Sequence, residues 1–205
     1  MARRAPAPKP AARPRLRVVA GSLRGRRLVA PTGDAVRPTK DVVKEAVFSA
    51  LDARGAIRDA TVLDLYAGTG SLAIEALSRG ATRAVLVERD RAALAALTQN
   101  VEQLDLGART AVVRLDVDRF VTGRPPGEAP FDLVVADPPY DTTDDTIRGL
   151  VRALGAPGWL AVGAVVAVER PARAGVAVPE GFRACWERTF GDTLVFFVDA
   201  SEPPS

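Results

Sequence analysis

From Thr61 onward the chain keeps switching between short apolar runs and amphipathic stretches, and few folds accept that alternation. The pattern predicts strands at 61–66, 83–88, 110–115, 131–136 and 163–169. Helices are expected between them at 71–79, 90–104, 116–121 and 143–154. Runs as apolar as Phe131-Asp132-Leu133-Val134-Val135-Ala136 suit strands covered on both faces, which is how parallel sheets sit inside α/β proteins. Each intervening helix then serves as a crossover, giving a doubly wound sheet. The end departs from this: 182–188 and 193–198 are strand-like but joined only through Phe190-Gly191-Asp192, so they should pair antiparallel. The expectation is an α/β fold, with a doubly wound, mostly parallel seven-stranded sheet ending in an antiparallel hairpin. With 205 residues, 47% of them hydrophobic, the chain has material for one such core.

Ahead of the sheet the composition shifts. Residues 1–14 are low-complexity Ala, Pro and Arg, read as a disordered basic leader. Segments 16–20 and 27–30 then flank Gly21-Ser22-Leu23-Arg24-Gly25, the pattern of a small N-terminal β-hairpin within residues 15–35. It carries Arg15, Arg17, Arg24, Arg26 and Arg27. Residues 36–200 form the main domain, opening with a helix after Arg37-Pro38, where Thr39 is placed as the N-cap and Asp41 in the first turn. Val42, Val43, Ala46, Val47, Ala50 and Leu51 give that helix an apolar stripe.

Residues 1–33 hold nine Lys or Arg and no acid, so the rest must carry a net −6 for the chain to total +3. A basic N-terminus on an acidic body is the footprint of a polyanion contact. The simpler reading, a solvated tail in an Arg-rich composition, covers the leader better than the hairpin. The chain has no histidine and one cysteine, Cys185. That rules out imidazole chemistry and disulfides, and leaves no basis for a zinc site. No apolar run has the length of a membrane span, and the first residues lack the apolar core of a secretory signal. A cytoplasmic monomer without membrane or metal is expected.

Three strand ends carry chemistry. Asp64-Leu65-Tyr66-Ala67-Gly68-Thr69-Gly70-Ser71 closes the first strand and opens a helix, and Gly68 and Gly70 let the backbone approach a ligand. Glu88, twenty residues past Gly68, ends the next strand, where a carboxylate can hold ribose hydroxyls. The pattern fits NAD or another adenosine cofactor. Asp64 decides between them, since a carboxylate there repels pyrophosphate but attracts the sulfonium and ammonium of S-adenosylmethionine. A turn-capping role for Asp64 is the alternative. Asp116, followed by Val117 at the third strand end, is placed either to accept from an adenine amino group or to cap the next helix.

Asp137-Pro138-Pro139-Tyr140 follows the fourth strand. Two prolines stop a strand, since neither has an N–H for the ladder. They leave a carboxylate, unpartnered carbonyls and an aromatic ring in one rigid corner. An exocyclic amine on a base is a poor nucleophile because its lone pair is delocalised into the ring. Hydrogen bonds from its protons to the Asp137 carboxylate and the Pro138 carbonyl push the nitrogen toward sp³, while Tyr140 stacks on the base. The bland alternative is a rigid turn with a packed tyrosine. Tyr66, Gly68, Gly70 and Glu88, in order behind Asp64, argue against it.

These motifs resemble the Rossmann-fold S-adenosylmethionine-dependent methyltransferases. More closely, the chain is similar to the bacterial small-subunit ribosomal RNA guanine-N2 methyltransferase family called RsmD. The likeness rests on residues 21–27 with Arg-Gly-Arg, Arg37-Pro38-Thr39 leading into Glu45-Ala46-Val47-Phe48, and Asp64 to Gly70 with Glu75-Ala76-Leu77-Ser78-Arg79, as well as the Asp-Pro-Pro-Tyr tetrad. The resemblance implies methylation of one guanine N2 in 16S rRNA, on an assembled or nearly assembled 30S particle. It implies that Thr39 and its helix close over the methionine end of the cofactor. It also implies that Arg17, Arg24, Arg26, Arg27 and Arg37 meet RNA. A DNA adenine-N6 methyltransferase and a non-catalytic ribosome assembly factor on the same fold are the competing readings. The tetrad alone would hold either purine.

Overall fold

A computed structural model describes residues 16–31, 38–180 and 182–199. The leader 1–14, Arg15 and Arg37 lie outside the described residues. Seven strands form one sheet: β1 (Thr61–Leu65), β2 (Arg83–Glu88), β3 (Thr110–Arg114), β4 (Phe131–Ala136), β5 (Leu160–Pro171), β6 (Arg183–Phe190) and β7 (Thr193–Asp199). Their order is β3-β2-β1-β4-β5-β7-β6. The first five run parallel, and β7 pairs antiparallel with both β5 and β6. The helices are α1 (Pro38–Asp52), α2 (Ser71–Ser78), α3 (Arg91–Gln103), α4 (Val117–Val121) and α5 (Asp144–Leu154).

The sheet is buried on both sides, and the pleat sorts its side chains. Val62, Leu133, Val135, Val165, Ala167 and Phe197 join one core with α1, α2 and α3. Leu63, Leu65, Val134, Ala136, Val166 and Val168 join the other with α4 and α5. Strand order reverses between β1 and β4, the point at which open α/β sheets open a crevice at the strands' carboxyl ends. The glycine loop follows β1 and the tetrad follows β4, so both motifs meet there.

Three expectations shift. β5 runs past the expected 163–169, because its last residues, Glu169 to Pro171, pair with Val195 to Thr193 of β7 where no parallel neighbour remains. Thr39 is not the cap of α1: the helix already starts at Pro38, whose fixed φ suits a first helical position. The N-terminal hairpin contracts to a single bridge, Arg17 opposite Arg27, with Val18 donating to the Arg26 carbonyl at 3.0 Å. The reason is a competitor for its amides. Val19 and Ala20 donate instead to the two oxygens of Glu75, at 2.8 and 2.9 Å.

Glu75 is 0% exposed and takes more than those amides. Arg79 Nε donates to it at 2.9 Å, and Lys44 Nζ lies 3.6 Å away. Burial lowers the pKa of Lys44, while Glu75 and Asp41 pull it back up. Ser78, a turn further along α2, donates its hydroxyl to the Ala20 carbonyl and accepts from the Leu23 amide at 2.9 Å. Gly21, at φ +80°, comes so close that a Cβ there would stand 1.9 Å from the Ser78 carbonyl oxygen. The basic arm is therefore docked on α2 through buried polar contacts.

Candidate active site

Gly70 caps α2 in a left-handed conformation, φ +78°. A side chain there would crowd Leu86 at 3.2 Å, so glycine is set by both backbone and packing. Tyr66 also has a positive φ, +62°, in a region few non-glycine residues enter. Strain of that kind persists where surrounding structure holds it, commonly at ligand clamps. Burial, then Asp118 and Asp116, push the Tyr66 phenol up to about 12.

The loop between β1 and α2 is held from three sides. Glu88 accepts from the Gly68 amide at 2.8 Å and from Arg89 and Asp90 amides at 2.7 Å each. Asn100, fully buried on α3, donates to the Thr69 carbonyl at 2.9 Å and exchanges hydrogen bonds with the Val29 backbone. That one amide joins the exit of the basic arm to the glycine loop. Asp64 lies under the loop, 1% exposed, accepting from the Ala73 amide at 2.9 Å. Burial pushes its carboxyl up to about 8, against the Ala73 hydrogen bond, with Asp137 and Glu88 adding to the rise. The hydrogen bond from the Ala73 amide is the contact that the turn-capping reading of Asp64 expects.

Asp116 caps α4, accepting from the Asp118 amide at 3.1 Å, while its other oxygen pairs with Arg89 at 2.8 Å. Val117 is buried in the α4–α5 core. Asp137, half-buried, follows β4 into the crevice; Pro138 is buried and Pro139 exposed. Tyr140 is 50% exposed, an unusual amount of bare ring for a packing residue. The next turn is fixed by the Thr142 amide donating to the Pro139 carbonyl at 3.0 Å. Below it, buried Arg170 donates to the Thr142 carbonyl at 3.3 Å and pairs with Asp144 at 2.8 Å.

A cavity of about 240 Å³ lies between α1, the glycine loop and the ends of β4 and β5. Tyr66, Gly68, Ser71 and Phe48 line it, as do three acids, Asp41, Asp137 and Glu169. Lys44 is also on the wall, but its ammonium is committed to the Arg17 carbonyl at 2.7 Å and the Ser71 hydroxyl at 3.1 Å. An acidic wall of this kind fits a ligand carrying positive charge, as S-adenosylmethionine does. Among the described residues no group of His, Cys, Asp and Glu is arranged to hold a metal ion, and no helix is long and apolar enough to cross a membrane.

The arginines of the arm divide. Arg24 and Arg27 are exposed. Arg17 pairs with Asp41 at 3.0 Å, and Arg26 donates to the Gln103 carbonyl at 3.0 Å. Several residues of this site were not singled out in the sequence: Asn100, Glu169 and Arg170, with Lys44 on α1. Glu169 had a legible signal, an acid closing an apolar run, the same pattern as Glu88 and Asp137. Asn100 had none.

The family model described as Conserved hypothetical protein 95 matches residues 16–199. Ribosomal RNA small subunit methyltransferase D of Escherichia coli is 35% identical over 181 residues, spanning 86% of this chain and 85% of that protein. The protein of the same name from Haemophilus influenzae is 31% identical over 182 residues, 89% of this chain and 92% of its own length. The solved structure of yhhF from Escherichia coli superposes with a TM-score of 0.78 at 30% identity, covering 91% of this chain and 98% of that one.

Proposed function

The chain belongs to the Conserved hypothetical protein 95 family, the RsmD family its motifs resemble, and from that premise we propose that it methylates the exocyclic N2 of one guanine in small-subunit rRNA. Its curated relatives are rRNA methyltransferases, and the coarser statement, an S-adenosylmethionine-dependent enzyme acting on rRNA, rests on them. The observation that carries methylation of a base amine is the position of Asp137, at the switch point, on the cavity wall, beside the glycine loop; guanine as the base follows from the family resemblance.

S-adenosylmethionine supplies an electrophilic methyl group. Tyr66, Gly68 and Ser71 are the wall against which it would lie, and Glu88 and Asp116, at the ends of the next two strands, would reach its ribose and adenine. Asp41 lines the cavity with a carboxylate, and the Asp64 carboxyl under the loop ionises more readily once a cationic ligand is bound. Asp137 and the Pro138 carbonyl accept the two protons of the base amine and turn its lone pair outward, and Tyr140 stacks on the ring. Transfer would form the nitrogen–carbon bond as the carbon–sulfur bond breaks, leaving S-adenosylhomocysteine, and the nitrogen would release one proton, which the Asp137 carboxylate would accept and pass to water. Positioning and fixed charge account for the rate, with no covalent enzyme intermediate.

Arg24 and Arg27 are two exposed cations of the docked arm for phosphate contact, and the substrate is an assembled or nearly assembled 30S particle in the cytoplasm. The test incubates the protein with radiolabelled S-adenosylmethionine and 30S subunits from cells lacking this activity. Label in N2-methylguanine is expected; label absent from that nucleoside contradicts the proposal.

A further inference from the structure

Asp137 has a task in the reaction above, and the acid beside it, Glu169, has none. Ala136 of β4 is in register with Val168 of β5, so the residue after each emerges at neighbouring points of the carboxyl edge. Adjacent strands lie about 4.8 Å apart. The pleat sends both side chains to one face, since Val135 and Ala167, two residues back, pack in the same core. Both acids line the same cavity. The site thus presents two carboxylates where one and a carbonyl suffice to hold an amine.

The atoms next to that amine distinguish the bases. In guanine the exocyclic N2 is flanked by N1–H, a donor, and N3, an acceptor. In adenine N6 is flanked by N1, an acceptor, and in cytosine N4 is flanked by N3, also an acceptor. An ionised carboxylate only accepts. With the amine held at Asp137 and Pro138, a second carboxylate alongside therefore meets a proton in guanine and a lone pair in adenine or cytosine. The first is a charge-assisted hydrogen bond, and the second is a repulsion in a partly buried site.

We infer that Glu169 selects guanine by accepting its N1–H, an inference that rests on the amine-methylating reading of Asp137. Each carboxylate oxygen has two acceptor sites, so existing contacts of Glu169 within the fold are compatible with this. Selection by a second carboxylate also supplies what the tetrad lacks, a means of telling one purine from the other.

The test first locates the guanine that the wild-type protein methylates, then places 2-aminopurine there in reconstituted small subunits. This base keeps the 2-amine but has an acceptor at N1. The wild-type protein should favour guanine by roughly 100-fold or more, the scale of losing one hydrogen bond to a charged group. Glu169→Gln, whose amide can donate to that acceptor, should shrink the preference to about 10-fold or less, mainly by slowing guanine. Glu169 is also one acid of the cavity wall, so both bases are compared at saturating S-adenosylmethionine, where weaker cofactor binding cancels from the ratio and a merely structural role would leave the preference unchanged. An undiminished preference in the variant overturns the inference. So does equal methylation of the two bases by wild type, a result that needs no variant to fold. If the wild-type protein labels no guanine N2 at all, the functional reading fails first and this inference falls with it.

Discussion

The basic arm and the tetrad corner each lean on a buried charged side chain that takes up several backbone groups, Glu75 for the arm and Arg170 for the corner, and these two have opposite sign. Glu75 holds the arm by accepting from the Val19 and Ala20 amides. Arg170 holds the corner by donating to the Thr142 and Gly175 carbonyls and pairing with Asp144. Backbone chemistry explains the difference. The arm's turn leaves N–H groups without strand partners, which a carboxylate satisfies. The corner follows two prolines that have no N–H to offer, so acceptors are what remain, and a guanidinium fork matches them. A further contrast lies in what each region presents outward: two arginines from the arm, an amine grip from the corner. The arm should govern binding and stability, and the corner turnover.

The sharpest way to break this contrast is Glu75→Ala. Removing one partner from a buried charge cluster strands Lys44 and Arg79 and frees two amides, so a loss of about 3–5 kcal/mol is expected by urea denaturation. A loss under about 1 kcal/mol would mean that the arm is not held as described. Asp137→Ala acts on the other region. It should lower kcat by about 10²- to 10³-fold while leaving S-adenosylmethionine affinity within a few-fold and stability nearly unchanged. Equal loss of cofactor binding would contradict the role given to Asp137.

Replacing Arg24 and Arg27 together with alanine should weaken binding to the particle and flatten its salt dependence by about two units of slope. Turnover at saturating substrate should be unaffected. The smallest expected effect is pH-dependent and belongs to neither region. Burial raises the Asp64 carboxyl from 3.8 to about 8, so the folded chain holds a proton there that the unfolded chain gives up. Its contribution to stability is full below pH 3.8 and is lost as pH rises through about 8. A cationic ligand favours the ionised form, so S-adenosylmethionine affinity should rise by roughly 3- to 10-fold between pH 6.5 and 8.5. Calorimetry on Asp64→Asn should show that dependence flattened.

The parallel half of the sheet was legible because doubly buried strands are written as uninterrupted apolar runs. All seven strands fall where periodicity placed them, with ends adjusted by neighbours that local pattern does not encode, such as β7 extending β5 to Pro171. The tetrad and glycine loop were legible for a related reason: proline and glycine state their backbone consequences in any context. The arm keeps the antiparallel pairing that its two-strand pattern suggests but only as one bridge, because two of its amides go to Glu75, more than fifty residues away. Thr39 was misplaced because Pro38 competes for the helix start. Asn100 was invisible, since a lone amide in an amphipathic helix looks like any solvated polar residue until the fold buries it.

The central claim, that Asp137 acts on the amine of a guanine, is tested most directly in the small-subunit rRNA itself. Mass spectrometry would compare that rRNA from a deletion strain, the same strain restored with wild type, and one restored with Asp137→Ala. One guanine should lose its N2-methyl group in the deletion, regain it with wild type, and stay unmodified with Asp137→Ala. An unchanged methylation pattern, or a methyl group lost from an adenine instead, would contradict the account.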